Sequence, residues 1–179
     1  MRQLLGGVRG FDLNSCQEDD KFIFNRFPGG SAEGIVHYID YALTKNTPDE
    51  LSLSLGTNDV LNEVRKRSTP GNNEDTKEPL EIANLITLCA RKGIDRGVKR
   101  VNIHGIPVIR GTRYQFFRNT INLHLKEACE REGFNFIDNG NICLNDLRDD
   151  GIHLNFSGTF KLKCHLLSTC PSFNPYLIR

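Results

Sequence analysis

The 179-residue sequence lacks the features that would place it in several specialised classes of protein. No apolar run approaches the roughly 18 residues that a membrane span needs. The N-terminal stretch MRQLLGGVRGFDLN has no apolar core of a secretory signal. Lys and Arg number 23 against 22 Asp and Glu, so a net charge of +1 gives no reason to expect nucleic-acid binding. The basic stretch 91–100 is interpreted as the end of a helix rather than a phosphate site.

The six cysteines are scattered, and no two of them form a C-x-x-C pair. Such usage is typical of reduced thiols in an intracellular, cytoplasmic protein. Cys164, His165 and Cys170 lie close in sequence, but they fall in a predicted helix and tail, so no metal site is predicted. No cofactor is predicted. A nucleotide-binding flavodoxin-like domain is a further interpretation, but a glycine-rich phosphate loop of the usual spacing is missing.

Short apolar runs alternate with longer amphipathic segments along the chain. The predicted strands cover 21–27, 50–55, 100–104 and 134–138, and the predicted helices cover 31–44, a segment from about 80, 113–132 and 156–168. This alternation predicts one α/β domain over residues 1–179, with a parallel sheet between helices and an irregular tail at 170–179. The polar segment 62–79 is predicted to be a long surface loop that borders the site.

Chemically useful residues follow the predicted strands, at the edge where such folds bind ligands. Asp150 and His153 stand three positions apart, a spacing that suits a general base and its orienting carboxylate. Asp149 is a rival partner, and an exposed Asp-Gly turn is the alternative interpretation. The side-chain amide of Asn58, in the turn GTND (56–59), is placed to donate to a developing oxyanion.

Two further segments allow more than one interpretation. In FPGGS (27–31), Gly29 and Gly30 can turn their N–H groups toward a ligand. Ser31 is interpreted as a helix cap, because Glu33 breaks the G-x-S-x-G spacing of a nucleophile elbow. Arg110, after the third predicted strand, is either a contact for an anionic group or a surface residue.

The segments FPGG, GTND and DGIH resemble, in this order, motifs of the SGNH (GDSL-type) hydrolase family over residues 22 to about 165. The resemblance implies a flavodoxin-like three-layer α/β/α sandwich that hydrolyses a small-molecule carboxylic ester. It makes Gly29 and Asn58 oxyanion-hole donors, with Gly30 as an alternative, and it makes His153 the base and Asp150 its orienting acid. The sequence of these segments also resembles esterase-like domains encoded in animal genomes, some within LINE-type retrotransposons.

The family's nucleophile is the serine of a Gly-Asp-Ser motif after the first strand, and this sequence contains no such motif. Ser15 follows neither a strand nor a glycine turn. The segment 1–10 is predicted to be the helix after the motif, which implies a missing central strand and an N-terminally shortened domain. Without the serine no acyl-enzyme forms, so the chain is predicted to be inactive. The alternative is a degenerate, non-catalytic binding module of retroelement origin. The acyl group, the alcohol and the oligomeric state are not indicated.

Overall fold

The computed structural model describes residues 2–6, 22–26, 29–44, 47–69 and 75–167. Within these ranges the strands are β1 (Arg2–Gly6), β2 (Phe22–Arg26), β3 (Glu50–Ser54), β4 (Arg100–His104) and β5 (Asn135–Ile137). The helices are α1 (Ala32–Thr44), α2 (Thr57–Ser68), α3 (Pro79–Asp95), α4 (Thr112–Glu132) and α5 (Phe156–Leu167), with a 3-10 turn at Leu144–Asp146. All strand pairs are parallel, in the order β2-β1-β3-β4-β5. The prediction of a flavodoxin-like three-layer α/β/α sandwich is confirmed.

The central position of the sheet is filled by β1, so the prediction of a missing central strand is wrong. Leu4 pairs with Phe24 of β2 on one side and with Ser52 of β3 on the other. Two leucines followed by two glycines make a poor helix start, since glycine is disfavoured in helices. Pairing on both edges instead satisfies the backbone donors and acceptors of β1, β2 and β3.

The core lies between the sheet and the apolar faces of the helices. Leu51 and Leu53 of β3 and Ile103 of β4 are fully buried. The helices add apolar side chains at helical spacing: Ile35, Ile39 and Leu43 from α1, Ile82 and Ile86 from α3, and Ile121 and Leu125 from α4. None of the helices in the described ranges combines the length and the apolar character that crossing a bilayer requires.

The first part of the segment predicted as a surface loop at 62–79 is helical as far as Ser68, which corrects the prediction for that part; residues 75–78 are not helical. Helix α2 continues to Ser68 because Val60, Leu61 and Val64 form one buried face under a polar outer surface. Residues 70–74 lie outside the described residues, and α3 begins at Pro79. The predicted tail at 170–179 also lies outside them.

Candidate active site

A cavity of about 300 Å³ opens at the carboxyl ends of the strands, the edge where ligands bind in doubly wound sheets. Gly29, Asn58 and His153 all line it, although they come from three distant parts of the sequence. The structure therefore brings three of the four predicted site residues to one cavity. The fourth, Asp150, lies directly behind His153.

Asp150 and His153 form a hydrogen-bonded pair. The Nδ1 atom of His153 lies 2.7 Å from Oδ2 of Asp150, and Oδ1 accepts hydrogen bonds of 2.9 Å from the backbone N–H groups of Ile152 and His153. Those backbone donors, followed by the imidazole, lower the pKa of Asp150 well below its ordinary value. Because an ionised carboxylate can only accept, Nδ1 carries the proton and Nε2 of His153 is left as a proton acceptor.

The loop that carries this pair is held by backbone hydrogen bonds. Leu147 and Leu154 form an antiparallel bridge, and the N–H of Arg148 donates to the carbonyl of His153 at 2.7 Å. The Arg110 guanidinium donates to the carbonyl of Asp149 at 2.9 Å. Among the described contacts Arg110 thus braces the loop, and Asp149, the rival carboxylate, contributes its carbonyl rather than pairing with the imidazole.

The amide of Asn58 ties two of the predicted turns together. Its Nδ2 donates to the carbonyl of Gly30 at 3.0 Å, which leaves a second N–H of the same amide for a ligand. Gly56, just before α2, has a φ of +100°, and a Cβ there would come within 2.5 Å of Ile106. Only glycine allows this turn, which sets Asn58 at the cavity.

Asp59 fixes the position of α1 against α2. Both of its carboxylate oxygens accept from the N–H of Ala32, at 3.0 and 3.1 Å, and its side chain is buried. Burial raises the pKa of Asp59, and the Ala32 hydrogen bond opposes that change. Ser31 Oγ accepts from the N–H of Gly34 at 3.2 Å, which confirms Ser31 as a helix cap. These bonds hold the start of α1, which directly follows the Gly29–Gly30 turn, and the Asn58 amide holds the turn itself.

Sequence reasoning missed the contribution of α2 beyond Asn58. Leu61 and Arg65 also line the cavity, three and seven residues after Asn58. The signal was present as apolar residues at helical spacing, but the polar composition of 62–79 hid it. The rest of the wall is mostly apolar, with Pro107, Val108 and Ile109 after β4 and Ile152, Leu154 and Leu162 near α5.

The hydroxyl groups that line the cavity do not belong to a Gly-Asp-Ser motif, where the resemblance expects the nucleophile. Among the described lining residues, Ser54 and Thr57 carry hydroxyls, and Ser54 is the last residue of β3, paired with Gly6 of β1. Ser15 lies outside the described residues.

Cys164 and His165 lie on α5, while Cys170 is outside the described residues. The Nδ1 atom of His165 lies 2.5 Å from the Asn139 side-chain oxygen. Within the described ranges, no three His, Cys, Asp or Glu side chains gather where they would hold a metal ion.

Comparison with known proteins finds solved structures of similar fold but no match by sequence. No family model matches the chain, and no curated protein matches its sequence. TesA matches with a TM-score of 0.68 and 16% identity over 94% of this chain and 97% of that one. A mutant of Axe2, an acetylxylan esterase from Geobacillus stearothermophilus, matches with a TM-score of 0.72 and 14% identity over 93% and 92%. A GDSL-like lipase from Bacteroides thetaiotaomicron matches with a TM-score of 0.68 and 13% identity over 93% and 86%. At these identities the likeness concerns architecture, and the chain has the fold of the SGNH (GDSL-type) hydrolases.

Proposed function

We propose that the chain is an SGNH-type carboxylic ester hydrolase domain that binds a small-molecule ester but lacks the serine that would be acylated. The observation that carries this proposal is the meeting of the Asp150–His153 pair with the Asn58 amide at one cavity. A base, its orienting acid and an oxyanion donor are the groups that acyl transfer requires besides the nucleophile.

In this proposal each group has a defined task. The free N–H of Asn58 and a backbone N–H of the Gly29–Gly30 turn receive the ester carbonyl oxygen and stabilise the charge that develops on it. Once a serine is restored, Nε2 of His153 would take the proton of its hydroxyl as that oxygen attacks the ester carbonyl, and Asp150 would stabilise the imidazolium that results. The apolar wall of the cavity accommodates the hydrocarbon part of the ester and excludes water.

The position proposed for the missing serine is counted along the sequence from β1. The resemblance puts the nucleophile motif at the end of the first strand, and β1 ends at Gly6. Counted along the sequence, Gly6, Gly7 and Val8 correspond to the expected Gly-Asp-Ser. Neither Gly7 nor Val8 offers a nucleophile, so no acyl-enzyme forms at the motif position in this proposal.

The decisive experiment restores the motif. The double variant Gly7→Asp/Val8→Ser is expected to gain turnover of 4-nitrophenyl acetate, with a burst of nitrophenol as the serine becomes acylated. The matched control is Gly7→Asp/Val8→Ala, which introduces the same charge without a hydroxyl. Adding His153→Ala to the double variant should remove the gain. A serine variant no more active than its alanine control would contradict the proposal.

The missing serine itself favours a second candidate, a non-catalytic module that keeps the ester-binding cavity. Addition of a short-chain ester would then shift the NMR signals of His153 and Asn58, while neither the natural chain nor the restored variant would hydrolyse it. If the natural chain is active and loses that activity on Ser54→Ala, the Ser54 hydroxyl replaces the missing nucleophile, and both candidates are wrong.

Two finer expectations stay predictions. A retroelement origin predicts a reverse-transcriptase reading frame beside the gene, which genomic sequence around the coding region would reveal. An intracellular location predicts that the described thiols, including buried Cys89 and Cys129, are reduced in the protein isolated from its source.

A further inference from the structure

We propose that Arg65 binds a negatively charged group of the substrate, so that esters carrying an anionic group are preferred to neutral esters. This inference rests on the proposed function of the cavity as an ester site. It adds the chemical class of the ester, which neither the motifs nor the structural likeness indicates.

The position of Arg65 connects it to the oxyanion donor. Asn58, Leu61 and Arg65 stand at positions i, i+3 and i+7 of α2, which places all three on one face of the helix. The same three residues line the cavity. An ester held at the Asn58 amide therefore extends past Leu61 toward the Arg65 side chain.

The charge of Arg65 has no counterpart in the site. Among the described residues that line the cavity there is no Asp or Glu, and Arg65 is the only Lys or Arg. No described residue pairs with its guanidinium, whereas Arg67 pairs with Glu78 at 2.9 Å and Lys66 lies 3.6 Å from Glu63. A cation without a partner at the rim of a largely apolar cavity attracts an anion into that cavity.

Helix geometry limits where the anion can stand in the substrate. Seven residues of α-helix advance about 10 Å, and helical side chains lean toward the N-terminus, here toward Asn58. The anionic group thus lies within about 10 Å of the ester carbonyl, a few bonds away along the acyl chain or along the alcohol. The planar fork of a guanidinium suits a carboxylate or a phosphate.

The test compares binding of charged and neutral esters to the full chain by calorimetry at low salt. The acyl-side ligands are the monomethyl esters of succinic, glutaric, adipic and suberic acid, each matched with its neutral dimethyl ester. The alcohol-side ligand is the acetate ester of 3-hydroxypropyl phosphate, matched with propyl acetate. In whichever set binds better, acyl-side or alcohol-side, we expect the anionic ester to bind on the order of fivefold more tightly than its neutral counterpart. This difference in affinity should shrink as salt is added.

Variants on α2 identify the cation responsible. Arg65→Gln should remove the preference, while Lys66→Gln, with the same loss of charge one residue away, should keep it. If neutral and charged esters bind equally, or if the preference survives Arg65→Gln, the inference is wrong while the ester site stands. If no ester of either kind binds, the proposed function fails together with it.

Discussion

Arg110 and Gly151 approach each other so closely that no methyl group fits between them. A Cβ at position 151 would lie 2.6 Å from Cβ of Arg110, and Gly151 has a φ of +71°. The N–H of Arg110 donates to the carbonyl of Gly151 at 2.8 Å. The segment after β4 thus fixes the backbone of the turn that presents Asp150 and His153.

Gly151→Ala is expected to destabilise the protein more than the same substitution at a comparable glycine. Gly133, the C-cap of α4, has a φ of +75° but no neighbour within 4 Å of its Cβ position. Gly133→Ala should therefore cost about 1–2 kcal/mol from backbone strain alone. Gly151→Ala adds a steric clash with Arg110 and should cost roughly 3 kcal/mol or more. Urea denaturation measures both values, and equal losses would mean that the turn simply moves away from Arg110.

Asp59→Ala is expected to destabilise the protein by about 1–3 kcal/mol, because the N–H of Ala32 would lose a buried acceptor. Asp59→Asn should cost less, since the amide oxygen can still accept from Ala32 and no charge is buried. Denaturant unfolding compares the two variants. Asp59→Ala should also shift the backbone NMR signals of Gly29 and Gly30, because the start of α1 that follows them would lose its bond to α2, leaving the Asn58 amide to hold the turn. A loss of stability with an unchanged turn would contradict that positioning role.

The sequence was sufficient for the elements whose apolar pattern is strong. Helices α3 and α4 follow their predicted spacing, because Ile82 with Ile86 and Ile121 with Leu125 must all be buried on one face. The residues that gather at the cavity were also predictable, since parallel strands end at the same edge of the sheet. The local chemistry of the turns, such as the Ser31 cap, followed from residue type.

The remaining features depend on tertiary pairing. The segment Arg2–Gly6 has only two leucines, and it becomes a strand because β2 and β3 offer unpaired edges on both sides. Helix α2 has a polar composition, so the burial of Val60 and Val64 decides its length. The brace from Arg110 to the loop of His153 joins segments some forty residues apart, and no local pattern indicates it.

The central place of β1 predicts the hydrogen-exchange behaviour of its amides. Because β1 pairs on both sides, the amides of Leu4 and Leu5 that enter these ladders should exchange as slowly as those of β3. The amides of β5, which pairs with β4 alone among the described strands, should exchange faster. Native-state exchange followed by NMR tests this order. Rapid exchange throughout 2–6 would show that β1 is not the stable centre of the sheet.

Because His104 is buried, we expect the protein to lose stability in mild acid. The side chain is 1% exposed at the end of β4, and neither ring nitrogen has a hydrogen-bond partner in the described structure. Burial lowers the pKa of His104 to about 3. Between that value and the ordinary pKa of about 6.5, the unfolded chain binds a proton that the folded protein excludes. Stability therefore falls as the pH drops below about 6.5, and His104 alone should cost roughly 2 kcal/mol at pH 5.

His104→Leu isolates this contribution. Leucine fits a buried apolar site and removes two nitrogens that lack partners, so its stability at pH 7 should equal or exceed that of the natural chain. Burial also lowers the pKa of His165 and raises that of Asp59, and both groups remain in the variant. The charge of His165 adds to the lowering of the His104 pKa, so the comparison measures the burial of His104 together with its coupling to His165. Urea denaturation at pH 7 and pH 5 gives the change in unfolding free energy with pH for the natural chain and for His104→Leu. If the unfolding free energy falls equally in both proteins between pH 7 and pH 5, the protonated His104 must gain a partner or become exposed. The burial of its neutral ring would then not explain the loss of stability in acid.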